Sequence, residues 1–161
     1  MTRVVGAALV LVAALVQVTW APRLTVLGAF PNLMLVIVVA IAWTYGQRAA
    51  LVWACIGGLL LDLTSPGPLG PHALALLAAA YLSGFWARNV DPGSIAQPAI
   101  AAAAATAVYS LILVGADDTL GLPVPALSVA GQLAGAAALY NAILVVPFVL
   151  AMRRAHHEVR A

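Results

Sequence analysis

Among 161 residues the chain carries five carboxylates (Asp62, Asp91, Asp117, Asp118, Glu158), three histidines and a single cysteine, so any chemistry must start from this short list. A metal site needs clustered His, Cys or carboxylate ligands, and His156-His157 near the C-terminus with a separate His72 do not supply one. A serine nucleophile needs a base within reach, and no Ser here stands in such a context. Asp117 and Asp118 are adjacent and face different directions, which suits solvated charges in an outer loop better than a paired proteolytic site. Cys55 alone rules out an internal disulfide or a multi-Cys centre, and inside an apolar run it reads as a buried, inert thiol. Phosphate-cradling and dinucleotide motifs are absent; Gly57-Gly58 runs into Leu59, as expected for helix packing. The sequence therefore predicts no catalysis, no metal and no cofactor.

Asp62 is the residue that calls for an explanation. It follows Gly57-Gly58 and three leucines at the end of an apolar segment, where a helix C-terminus disfavours negative charge. An ionisable group near membrane depth is costly and is usually paired or functional. Three roles are open: organising the following turn with Thr64 and Ser65, pairing with Arg23, or handling a solute or proton. Gln17, Tyr81, Ser83, Gln132, Tyr140 and Asn141 are the other polar groups inside apolar runs, and interhelical hydrogen bonds are expected of them. Gly131 and Gly135 form a GxxxG pair, and Ala75/Ala79 and Ala80/Gly84 repeat its spacing.

These residues sit in a chain that is 65% hydrophobic and 7% charged, with a mean hydropathy of +1.08. Soluble domains hold roughly 25% charged residues, so the elements that position the polar groups are membrane helices. A net charge of +2 with no basic stripe excludes a nucleic-acid partner. All the basic charge is arginine, and its placement orients the chain. With the N-terminus inside, Arg3, Arg48, Arg88, Arg153, Arg154 and Arg160 are cytoplasmic and only Arg23 is outside, as the retention of basic flanks on the cytoplasmic side requires. The expected fold is an all-α integral membrane protein: one domain, residues 1–161, in a compact six-helix bundle with both termini inside. The spans fall at about 4–21, 24–45, 49–63, 72–87, 95–114 and 126–152, counted from apolar runs of membrane length.

Val4–Trp20 is longer than the usual signal-peptide core of roughly 7–15 residues, so a retained first helix is expected. The second span breaks at Pro31-Asn32, which puts its regular part at 33–45 after an irregular entry. Gly46-Gln47-Arg48 reads as a tight turn. The third apolar run, Ala49 to Leu61, is short against a hydrocarbon core of about 30 Å, which predicts that the segment from Asp62 to His72, rich in proline, packs against the bundle near its outer face. Ser94 is a candidate N-cap for the fifth span, and Pro98 fits its first turn. The alanines from Ala101 to Ala105 let neighbours approach that helix closely. The sixth span is long enough to tilt, bend at Pro147 or project beyond the bilayer, and the tail bearing His156 and His157 is expected to be flexible.

Phe30-Pro31-Asn32-Leu33, the run from Gly57 to Leu63, Ser65-Pro66-Gly67-Pro68-Leu69-Gly70 and Tyr81-Leu82-Ser83-Gly84 together resemble the MreD family of rod shape-determining proteins. That family has a Pro-Asp-Leu entry to its second span and a G-x-x-x-D-x-x-S-x-x-P-x-G segment between its third and fourth. Gly58, Asp62, Ser65, Pro68 and Gly70 match the segment with its spacing intact. Asn32 departs from the family's Asp and so lacks its charge, and Pro71 stiffens the loop further. The resemblance implies a non-enzymatic inner-membrane subunit of the bacterial elongation machinery. Such a subunit binds the bitopic protein MreC and helps link MreB filaments to peptidoglycan synthesis. The family is also similar in fold to the substrate-binding subunits of energy-coupling-factor transporters, so a small-molecule-binding transport subunit is the alternative. Against it, Val4–Trp20 holds no pair of small residues at four-residue spacing, which such subunits use to meet their coupling partner. The outer halves of the last three spans also lack polar clusters. Gly131 and Gly135 are expected to meet a partner helix.

Overall fold

The computed structural model describes Ala13, Val16, Gln17, residues 30–91 and residues 93–158. These residues form five α-helices and no strand: α1 Leu33–Tyr45, α2 Gln47–Thr64, α3 Pro71–Asn89, α4 Ala96–Thr119 and α5 Leu127–Glu158. Ala13, Val16 and Gln17 are helical as well. The remainder of the expected first span, and with it Arg23, lies outside the described residues.

α1 is the axis of the molecule. It touches all four other helices, which follow one another around it in chain order. Every residue from Met34 to Ala42 is buried. LMLVIVVAIAWTY offers no polar face until its end, so no side of it resists burial among the other helices. Ala50, Ala54, Ala75, Ala79, Ala80, Ala101, Ala102 and Ala105 supply the surfaces that close on it. Small side chains at these positions let backbones approach, which is where packing energy in lipid comes from. Both Ala-rich pairs on α3, Ala75/Ala79 and Ala80/Gly84, are consumed in this interior.

α2, α4 and α5 are each long and apolar enough to cross a membrane, and α1 is a shorter apolar helix. The short helix is thus α1 and not the third span. α2 has 18 residues, about 27 Å at 1.5 Å each. It begins at Gln47 because Gly46, at φ +88, makes the whole break by itself, so the expected three-residue turn is a single glycine. It also continues through Asp62 to Thr64, where the sequence places a loop. α4 likewise absorbs Asp117 and Asp118, which lie in its last turn and not in an outer loop. α5 reaches 32 residues, about 48 Å, with Pro147 inside it, and His156 is helical. The His156 ring meets Tyr45 edge-on at 5.0 Å, so this stretch is a docked helix end and no flexible tail.

Candidate functional site

The motif residues build the start of α3. Asp62 lies one helical turn beyond Gly58, so both face the same neighbour. Its fully buried carboxylate accepts from the backbone N–H groups of Gly70 (3.0 Å), His72 (2.9 Å) and Ala73 (3.1 Å). The His72 ring adds a fourth bond, Nδ1 to Oδ1 at 3.0 Å; facing an acceptor-only carboxylate, that nitrogen donates. The first N–H groups of a helix have no partner within it, and here a side chain from the preceding helix serves them. Although Asp62 sits near the negative end of α2, it points at the positive end of α3, which is what makes its charge tenable. The turn is organised by Asp62 as one of the three expected roles had it, but through the N–H groups of Gly70, His72 and Ala73 at the start of α3. The Thr64 hydroxyl is occupied with the carbonyls of Leu60 and Leu61 instead.

Gly58, Gly70 and Pro71 complete the device. A Cβ on Gly58 would collide with the backbone of Ala73, so only glycine allows α2 and α3 this close. Gly70, at φ +123, turns the chain into α3 through a conformation that other residues rarely adopt. Pro71 then occupies the first helical position, where its missing N–H costs nothing. Ser65 caps the end of α2 through its backbone, its N–H bonding Leu61 O at 2.9 Å. Pro68 is exposed, as are Pro66, Gly67 and Leu69. The loop is therefore fastened at its far end only, and its middle does not pack against the bundle as expected.

A second cluster builds the start of α1 in the same way. Pro31 and Asn32 are buried. The Asn32 side chain accepts from Leu35 N at 3.0 Å, a conventional N-cap bond. Gln17 Oε1 accepts from Leu33 N at 2.8 Å, and Asn141 Oδ1 on α5 accepts from Asn32 N at 2.9 Å. Asn141 Nδ2 donates to Thr106 Oγ1 on α4 (2.9 Å), whose own hydroxyl donates to Ala102 O (2.7 Å). Water is unavailable inside a bilayer to satisfy these groups, so three side chains from three places in the chain do so. Gln17 and Asn141 thus make the interhelical bonds expected of them. Ser83 is buried with no hydrogen-bond partner among the described residues, while Gln132 and Tyr81 are exposed. Thr106 went unnoticed in the sequence because an alanine-rich run gave it no context.

Two clefts adjoin the second cluster, and one of them reaches His72 of the first. One of about 250 Å³ is lined by Asn32, Thr106, Tyr109, Ser110 and alanines of α5. The other, about 300 Å³, has Gln17, Asn32, Ser65, His72 and Tyr109 on its walls. Three polar groups of α4, Thr106, Tyr109 and Ser110, line the first of these clefts. Among the described residues no three His, Cys, Asp or Glu side chains come together. Gly131 and Gly135 stand apart from all of this: among the described residues, a Cβ on either would meet nothing within 4 Å.

The model of one protein family, rod shape-determining protein MreD, matches residues 1–155. No curated protein and no solved structure matches the chain.

Proposed function

The chain belongs to the MreD family of rod shape-determining proteins, and on that premise we propose that it is a non-enzymatic, multi-pass subunit of the bacterial cell-elongation complex. In this reading it lies in the cytoplasmic membrane with both termini inside, as the arginine distribution favours. It binds a transmembrane helix of MreC and, through MreC, helps couple MreB filaments to peptidoglycan synthesis. The observation that carries the partner assignment is a contrast among glycines. Gly57, Gly58 and Gly84 have their space taken by Met34, Ala73 and Gln47, whereas Gly131 and Gly135 line an open strip on α5. Helices associate in lipid through such strips.

Purification from native membranes with gentle detergent tests the assignment. MreC is expected to co-purify at near-equal amount. Recovery of a coupling ATPase in place of MreC would instead support the transport subunit.

A further inference from the structure

We propose that the chain holds the phosphate headgroup of an anionic phospholipid between Arg48 and Arg88. The two arginines come from opposite ends of adjacent helices, the first turn of α2 and the last turn of α3, and line one cleft of about 450 Å³ with Tyr45, Gly46, Gln47 and Leu51. Arg88 Nη1 donates to Gln47 Oε1 at 3.0 Å, which ties its guanidinium to the rim. Neither arginine pairs with a carboxylate among the described residues. Most of their ten N–H donors, five on each guanidinium, are therefore free for an oxyanion.

Arg48 is also placed where a cation is electrostatically wrong. The N-terminus of a helix carries partial positive charge, yet the first turn of α2 has no acidic residue, and its N-cap, Gly46, brings no side chain. Two guanidiniums and an uncapped helix start converge on one space, and a bound anion relieves all three. Guanidinium forks match phosphate oxygens in pairs, which gives geometry as well as charge. The apolar side of the same helix identifies the source of that phosphate. Below Arg48, the exposed residues Val52, Ile56 and Leu59 follow at helical spacing and form a continuous track along α2. A headgroup between the arginines would lay its acyl chain on that track, with Leu51 at the junction. The inference rests on the chain being in a bilayer, and on neither its orientation nor its partner.

The test uses the full chain in nanodiscs of phosphatidylcholine doped with phosphatidylglycerol, released and weighed by native mass spectrometry. Wild type is expected to retain phosphatidylglycerol over phosphatidylcholine. Changing both arginines, R48Q with R88Q, should weaken retention by about tenfold or more, since the charge-assisted bonds to the phosphate are lost. The pair R48K with R88K, which keeps charge and loses the fork, should fall between. R153Q with R154Q, on α5 and outside this cleft, should retain lipid as wild type does. Thermal unfolding in pure phosphatidylcholine checks that all variants fold alike. The proposal fails if the R48Q/R88Q protein retains phosphatidylglycerol normally, or if R153Q/R154Q loses as much. It fails equally if inorganic phosphate or an acidic peptide competes the lipid away at comparable concentration.

Discussion

Asp62 joins two helix ends that would each be unstable alone. A carboxylate near the end of α2 is opposed by the dipole of its own helix, and the first N–H groups of α3 have no acceptor of their own. Turning the carboxylate across the loop settles both at once, and this accounts for the spacing of the motif: Gly58 for approach, Asp62 for acceptance, Gly70 for the turn. Removing the carboxylate in Asp62→Ala leaves three N–H groups without partners. Each buried orphan costs about 1–3 kcal/mol, so a clear fall in the thermal midpoint of the purified protein is expected. Asp62→Asn keeps one acceptor oxygen and should lie between alanine and wild type. An alanine variant that melts with wild type would show that the loop N–H groups find other acceptors. If that variant also folds and binds its partner normally while cells lose their rod shape, Asp62 has a chemical role and the structural account of it is wrong. Gly58→Ala gives a further residue-scale expectation: α2 and α3 must separate, so stability falls, whereas Gly131→Ala, with open space around it among the described residues, raises the midpoint slightly.

At the scale of elements, both halves of the sequence motif turn out to start helices with side chains borrowed from elsewhere. α1 starts on Asn32, Gln17 and Asn141, and α3 starts on Asp62. Asparagine and aspartate serve about equally well as N-caps, which explains why Asn32 can stand where the family has Asp. What the sequence made legible was the break at Pro31, the regular run from Leu33, and the importance of Asp62. Two things stayed hidden for physical reasons. A helix that continues through a charged residue looks like a loop until the partner of that charge is known, and the apolar run of α2 stops at Leu61, three residues before the helix does. Hydrophobic periodicity also separates inside from outside only when the outside is water. In lipid both faces are apolar, so nothing in the sequence of α1 marked it as the axis. The Asn141–Thr106 bond across α5 and α4 offers a quantitative check. Asn141→Ala and Thr106→Ala should be non-additive by about 0.6–1.7 kcal/mol, the range for hydrogen bonds between membrane helices. Strict additivity in steric-trap or denaturant unfolding would mean that the pair is not coupled.

For the whole molecule, the division between used and unused small residues is the feature with the widest consequence. Gly57, Gly58 and Gly84, with the buried alanines of α2, α3 and α4, are spent on closing those helices around α1. The N-terminal half of α5 differs: Gly131 and Gly135 are exposed on one strip, and Leu139 and Ile143 continue the exposed side along the helix. A monomer gains nothing from glycine there, since each costs a helix about 1 kcal/mol relative to alanine. A neighbouring helix that packs against the strip recovers that cost. Gly131→Leu with Gly135→Leu should therefore leave insertion and the unfolding midpoint of the isolated chain unchanged, or raise the midpoint slightly. Co-purified MreC should fall by about tenfold, equivalent to the loss of about 1.4 kcal/mol of association. Full recovery of MreC by the doubly substituted protein would move the interface to another face of the bundle. Loss of the isolated fold would show that the strip is already occupied within the chain, by a segment outside the described residues.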